Sequence, residues 1–442
     1  MDLLKKSELH VHIPGCYFPE DLLELAKDCY RDINWNRFGF LDRYERIFGI
    51  RLNPIDIFDR ALATDSLDEL RSISTYSYKP QGRFEEFDIT SFFSMCITGY
   101  YLDRDMHEPI LRPIVARHKR EGIAYIEYRI AFGGDKQEFK DWHGRYARYF
   151  RQSSTVSFAA KYIVRLFPNQ LIESYEWLRE LLHEQPELID TIVGIDFSGR
   201  EIAPKSLHGF YEILARDNQS HPESALDVAV HIGESFFGLS LESAIRWCHQ
   251  SALFGAKRLG HCIALGMQPA IAVSRKPAAH TRESIQERLD QIDYDLEHAS
   301  NLRAYGIVID EDELRQERKA LEDKDPAQLS SRVYDEQRLQ GASLRQDYVL
   351  DALSRMGTII ETCPTSNLCI GGVPNIQAHP FIKLYKSGVH LAICSDDPGI
   401  FASTLADEIE FVCKTFAIEP GALAERLGDP WRFRLAAQHD SL

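Results

Sequence analysis

The chain lacks any apolar run approaching the roughly 20 residues that cross a bilayer, so no membrane span or membrane partner is expected. Its opening, MDLLKKSELH, has no apolar stretch of the signal-peptide kind, so the expectation is a cytoplasmic chain without a cleaved leader. Positive charge is scarce: 51 Lys and Arg stand against 67 Asp and Glu, a formal net charge of −16, and no basic stripe appears. That balance argues against a nucleic-acid partner, although a few local cations can still hold a small anion. Nine cysteines are scattered without a CxxC pair. This excludes a thiolate metal site and a secreted disulfide framework, and reads as reduced thiols. Internal repeats, low-complexity tracts and a clear interdomain linker are also missing.

What is present is enough apolar sequence for a large core: 44% hydrophobic residues in a chain of 442. Eight short β-like runs stand out, near residues 7–13, 124–130, 157–164, 191–197, 227–232, 257–262, 358–362 and 389–394. Several, such as TIVGIDF and LDVAVHI, are almost continuously apolar, as parallel strands covered on both faces must be. Their alternation with helical patterns predicts an α/β fold, a (β/α)8 TIM barrel formed by one domain over residues 1–442. A doubly wound open sheet is the alternative.

Two stretches exceed a minimal barrel. About 100 residues separate the first two runs and carry Trp35, Phe38, Phe40, Tyr44, Phe48, Phe92 and Phe93, which either build a lid or pack extra helices. A charged stretch of about 267–345, after the sixth strand, has Ile285, Leu289, Ile292 and Leu296 at helical spacing. It is expected to form a helical insertion that caps the barrel mouth or meets a partner subunit, which leaves a homo-oligomer open. Arg275, Lys276 and Arg282 form a basic patch at its start that could reach a ligand.

The polar clusters fall at the C-terminal ends of these runs, the end that carries the active site in barrel enzymes. His10 and His12, separated by Val11, project to the same face of a strand and can grip one ion. His231 in HIGE and Asp396 in SDDP would complete three imidazoles and one carboxylate, a set that suits one zinc ion with room for a water. Such an ion lowers the pKa of its water from 15.7 to about 7 in favourable cases. Glu234, three residues beyond His231, is placed to carry protons, His261 to hydrogen-bond the hydroxide, and Asp397 to accept from a substrate nitrogen. Each has a plainer reading, as a strand-end polar residue, a first-turn acid or a turn before proline.

Taken together, the motifs resemble the adenosine deaminase family of metal-dependent amidohydrolases. ELHVH resembles its ELHxHL, GIDFSG its GxDLxG, HIGE its HAGE, and RLGHCIAL its RIGHG segment. ETCPTSN resembles its ExCPxSN and SDDP its TDDP, all in family order from residue 8 to 398. The resemblance implies zinc on His10, His12, His231 and Asp396. It implies Glu234 protonating purine N1, His261 orienting the hydroxide that attacks C6, Asp397 on N7 and the Gly199 amide on N3. His12, Gly199, Asp397 and Arg200 would line the substrate, and the products would be a 6-oxopurine and ammonia.

Three positions depart from the pattern. Nucleoside deaminases of the family usually carry an acid in HLDG that contacts the ribose 5′-hydroxyl; here Pro14 stands there, in HIPG. Arg200 follows Gly199 where Asp or Asn is common, and the stretch after the sixth strand is longer than usual. The expected activity is hydrolytic deamination of a 6-aminopurine compound, adenosine or deoxyadenosine by default. Adenine, a 5′-nucleotide, an N6-modified purine nucleotide or another amino-heterocycle is the alternative, and Arg200 would suit an anion near the sugar end. A non-enzymatic metal-binding barrel is the remaining alternative, against which the retained Glu234, His261 and paired aspartates speak.

Overall fold

The computed structural model describes residues 4–79, 84–199, 201–236, 238–274 and 282–436. Arg200, Arg275 and Lys276 therefore lie outside the described residues. Among the described residues ten strands occur in chain order: β1 (Ser7–His12), β2 (Tyr125–Ile130), β3 (Ala159–Arg165), β4 (Ile192–Phe197), β5 (Asp227–Ile232), β6 (Arg258–His261), β7 (Arg282–Ser284), β8 (Leu329–Ser331), β9 (Ile359–Thr362) and β10 (His390–Ile393). All eight runs marked in the sequence are strands, and they form one parallel sheet in the order β1-β2-β3-β4-β5-β6-β9-β10. The sheet closes just past β10. The His12 amide donates to the Asp396 carbonyl at 2.9 Å, and the Asp396 amide donates to the His10 carbonyl at 2.9 Å. The architecture is a (β/α)8 barrel.

The continuous apolar runs become strands because each buries two faces. In β4, Phe197 meets Phe210 of the helix Pro204–Ser220, with ring centroids 5.6 Å apart, while Val193 packs on Ile163 and Leu435. Helices are set by local signals as well as by their apolar stripes. Asp135 caps the helix Lys136–Ser153 by accepting from the Gln137 and Glu138 amides at 2.9 and 3.0 Å, and Phe139, His143, Tyr146, Ala147 and Phe150 form its buried stripe.

One end of the barrel is plugged by the C-terminal segment. The Leu435 amide donates to Glu127 at 2.9 Å and the Ala436 amide to Asp227, the first residue of β5, at 2.6 Å. Phe433 packs with Leu9, Tyr125 and Ile359 there, which closes the N-terminal end of the strands to water. Chemistry is left to the other end.

The aromatics between β1 and β2 pack the extra helices together. Trp35, Phe40, Phe58 and Phe93 are buried, with Trp35 stacked on Phe93 at 5.4 Å, and Phe38 remains exposed. The charged stretch after β6 forms helices Ile285–Glu297, Ala299–Ala304 and Glu311–Leu321, followed by the longer Glu336–Met356. It also forms the antiparallel β7–β8 pair, which helical spacing gave no reason to expect. These helices dock on the outer helix Leu241–Phe254, through Arg246 to Gln291 (2.7 Å), His249 to Tyr294 (2.7 Å) and Arg338 to Glu242 (2.6 Å). All nine cysteines are free thiols, and no described helix is long and apolar enough to cross a membrane.

Candidate active site

Four strand ends bring the polar clusters into one group. His10 and His12 come from β1, where the register with β2 shifts between Glu8 and Val11. At that irregularity the Glu8 carboxylate accepts the His10 amide at 3.0 Å and the Ser395 hydroxyl at 2.7 Å, tying β1 to the segment that carries Asp396. His231 ends β5, His261 ends β6, and Asp396 follows β10. His261 and Asp396 both have left-handed backbone, φ 68° and 64°, rare for non-glycine residues and costing of order 1 kcal/mol or more each. Such strain persists only where the surroundings hold it in place.

The donor atoms converge. His10 Nε2 lies 3.2 Å from His12 Nε2, which lies 3.1 Å from His231 Nε2. Asp396 Oδ1 lies 3.4 Å from the Nε2 atoms of both His10 and His12. His10, His231, His261 and Asp396 also each offer one atom within 4.8 Å of the others. Of the two imidazoles that could complete the set, His12 stands nearer, since His261 Nε2 is 3.9 Å from Asp396. A tetrahedral ion with bonds of about 2.0–2.1 Å holds its ligand atoms about 3.3–3.4 Å apart, so the spacing suits such an ion.

Tautomers and charge fit as well. His10 Nδ1 faces the Glu361 carboxylate at 2.7 Å and must donate to it, which leaves the Nε2 lone pair turned into the group. Nitrogens brought this close suit a shared proton or a metal ion between them. Beneath them, the guanidinium groups of Arg129 and Arg258 are fully buried among Glu127, Glu361 and Asp196. Arg129 reaches Asp196 at 3.1 Å and Glu361 at 2.6 Å, and Arg258 reaches Glu361 at 2.8 Å and also pairs with Glu127. With Asp396, four buried carboxylates face two guanidinium groups, an excess of negative charge that favours a further cation in the group. Burial works to raise the Asp396 carboxyl, but His10, His261 and His12 around it hold it well below the usual range.

The remaining groups sit beside this centre. His261 Nε2 is 3.4 Å from Glu234 Oε1. Burial, helped by the Asp396 charge, pushes the Glu234 carboxyl well above its ordinary range. Burial and Asp396 do the same to Asp397, which packs so tightly on Gly15 that a Cβ there would overlap it, 1.8 Å from Oδ1. His261 Nδ1 contacts Asn367 Oδ1 at 2.8 Å, and Asn367 Nδ2 reaches Thr362 Oγ1 at 3.3 Å. The Asn367 oxygen therefore accepts from Nδ1, so His261 Nε2 is a free acceptor, and it has no hydrogen-bond partner. Burial brings the His261 pKa down to about 3, so the ring is neutral. Gly199, φ 91°, follows β4 beside the Arg165 side chain. Ser94 donates to the Pro14 carbonyl at 2.9 Å.

Several residues that the sequence reading passed over are built into the group. Glu361 orients His10, Asp196 lies 3.3 Å from His231 Nδ1, and Ser366 donates to Asp396 Oδ2 at 2.6 Å. Asn367 sets the His261 tautomer, and Glu201 accepts three amides of the HIGE turn. A signal existed for two of them: Asp196 and Glu361 are charged residues inside otherwise apolar strands.

The barrel thus carries a buried histidine–carboxylate group at its C-terminal mouth. A family model described as Adenosine deaminase matches residues 303–425. The curated adenine deaminase of Rhizobium leguminosarum bv. trifolii is 41% identical over 64 residues, 14% of this chain and 20% of its own length. The chain spans about a fifth of the length of the curated relatives it matches. Among solved structures, the adenine deaminase from Arthrobacter aurescens superposes with a TM-score of 0.53 at 15% identity, over 97% of this chain and 93% of that one. The N6-methyl-AMP deaminase from Arabidopsis thaliana gives 0.51 at 14% identity, over 100% and 94%. At these identities the likeness is one of fold. Residues 303–425 are thus similar to the adenosine deaminase family.

Proposed function

We propose that the protein is a metal-dependent aminohydrolase that converts a 6-aminopurine compound and water to the 6-oxopurine and ammonia. The observation that carries this reading is the convergence of three imidazole nitrogens and one carboxylate oxygen at 3.1–3.4 Å, with Glu234 3.4 Å from His261 beside them. His10, His12, His231 and Asp396 would hold the ion, zinc by preference for this donor set. When bound, it supplies a Lewis acid that makes hydroxide available near neutral pH.

The chain's own groups do the rest. Glu234, kept protonated by burial, donates to the ring nitrogen next to the amino-bearing carbon, which draws electrons from that carbon. His261, neutral and with Nε2 open, accepts a hydrogen bond from the attacking oxygen and holds it against that carbon. Asp397, whose carboxyl burial and Asp396 also push upward, would donate to a second ring nitrogen, where the sequence suggested an acceptor, and fix the plane of the purine. The Gly199 amide would meet a third. Arg200, placed by sequence beside Gly199, is assigned to the sugar end.

Adenosine or a deoxyadenosine is the first substrate to test. Adenine is the second reading, favoured by Pro14: its side chain carries no polar group for a sugar hydroxyl and its carbonyl is already taken by Ser94. The test is release of ammonia from adenine, adenosine, 2′-deoxyadenosine and AMP, or of methylamine from N6-methyl-AMP, with metal content measured on the same sample. Turnover of one of them by the metal-loaded protein is expected. A fully loaded protein that releases the amine from none overturns the reading.

A further inference from the structure

The HIGE turn is held from outside itself. Glu201, in the segment after β4, accepts the backbone amides of Gly233 at 2.8 Å, Glu234 at 2.9 Å and Ser235 at 2.8 Å. Three successive amides can aim at one point only if the backbone curls into a concave nest, and Gly233 supplies the left-handed residue, φ 64°. The turn cannot relax inward, because a Cβ on Gly233 would come 2.8 Å from Cys248 Sγ and 3.3 Å from the Ala264 methyl. Nests of this kind ordinarily take an anionic ligand; here the chain fills it with its own carboxylate.

Capping alone does not account for that choice. Residues 233–236 form no helix, so no helix end needs an acid, and a neutral side chain could satisfy at least one of the amides at lower desolvation cost. Burial works to raise the Glu201 carboxyl, while the three amides oppose it. What the carboxylate does hold is the backbone of Glu234 itself, at both peptide units that set the direction of the side chain. Its charge is also one of those that push the Glu234 carboxyl upward, after burial and Asp396.

We propose that Glu201 is a positioning residue, which locks the turn after β5 so that the Glu234 carboxyl faces His261 Nε2 and the substrate ring. This rests on the reading of Glu234 as the proton carrier. Glu201 contacts the backbone amides of Gly233, Glu234 and Ser235 and acts through Glu234, because His231, the neighbouring donor, is anchored in the β5–β6 ladder opposite Gly260.

The test is a double-mutant cycle between Glu201→Gln and Glu234→Gln in the metal-loaded enzyme, on whichever panel compound releases ammonia fastest. Glu201→Gln keeps the size but turns an amide NH2 toward backbone N–H groups. We expect kcat to fall at least about tenfold, with KM and metal content within about twofold of wild type. In the Glu234→Gln background the same change costs less than about twofold, since the group it positions is gone. Equal losses in both backgrounds, or a loss that tracks released metal, overturn the proposal. Should Glu201→Gln not fold, Glu201→Asp, too short to span all three amides, is expected to show the same pattern more weakly.

The two readings fail separately. If Glu234→Gln retains full activity, the catalytic assignment is wrong; if it is impaired but measurable and the Glu201 loss is additive, only the positioning role is wrong. Amide exchange at Gly233–Ser235 needs no substrate. Protection in the wild type that falls at least about tenfold in Glu201→Gln supports the lock, and unchanged protection overturns it.

Discussion

His10 on β1 donates through Nδ1 to the Glu361 carboxylate on β9, 2.7 Å away, and both side chains are fully buried. Arg129 and Arg258 hold the same carboxylate at 2.6 and 2.8 Å, so its position does not depend on the histidine. The imidazole is thereby fixed in tautomer and in ring orientation, with its lone pair aimed at His12 and Asp396. A ligand organised before the ion arrives loses less entropy on binding it, and the partner carboxylate raises its basicity.

Replacing Glu361 should therefore weaken metal binding without removing a ligand. Glu361→Gln is expected to lose about 10- to 100-fold in zinc affinity, measured by competition with a chelator. The His10→Ala, His12→Ala double variant is expected to hold no tightly bound ion at all. Equal affinity of Glu361→Gln and wild type would show that the Arg129–Glu361–Arg258 network serves the barrel core only.

Glu234→Gln preserves size and removes the transferable proton. Turnover should drop at least about 100-fold with the metal retained. His261→Ala should likewise spare the metal and damage turnover, because its Nε2 lies 3.9 Å from Asp396 and outside the closer set of donors. Metal analysis beside steady-state kinetics separates these outcomes from loss of a ligand.

At position 14 the chain has no group for a 5′-hydroxyl. A site that hydrogen-bonds a substrate hydroxyl penalises the analogue without it, since a buried partner left unpaired costs about 1–3 kcal/mol. With proline there and its carbonyl engaged by Ser94, kcat/KM for adenosine and 5′-deoxyadenosine should differ by less than about tenfold. Strong preference for adenosine would mean that another side chain holds the hydroxyl. A preference for AMP that vanishes in Arg200→Ala would instead assign the sugar end to a phosphate.

Glu408 offers a pH test away from the site. Its buried carboxyl accepts the Thr365 amide at 2.8 Å and the Ser403 hydroxyl, yet burial still raises its pKa from 4.5 to about 7. The folded state thus binds this proton more tightly than the unfolded chain. Its contribution is fully present below pH 4.5 and is lost as pH rises through about 7. Relative to wild type, Glu408→Gln should gain stability between pH 4 and 8, by about 3 kcal/mol at most. Denaturant unfolding at both pH values measures it, and a pH-independent difference would mean that Glu408 does not titrate in this range.

Much of this was legible in the sequence. Period and composition marked all eight barrel strands, because a strand covered on both faces must be apolar along its length, and a helix between successive strands leaves little choice but a parallel sheet. Polar residues at the ends of those runs marked His10, His12, His231, His261 and Asp396, since the C-terminal mouth is where a plugged barrel can admit a substrate. The β7–β8 pair was not legible. Its strands are three residues each, too short for any periodicity, and they pair across more than 40 intervening residues.

What the sequence determined by itself was the set of groups and the strand ends that carry them. Only the tertiary structure decided how they act. The tautomers of His10 and His261 depend on Glu361 and Asn367, which lie 351 and 106 residues away in the chain. The left-handed backbone of His261 and Asp396 is held by neighbours from other strands, against the local preference of those residues. The upward push on the Glu234 and Asp397 carboxyls follows from burial beside Asp396, and burial is a property of the closed barrel that no run of residues carries alone.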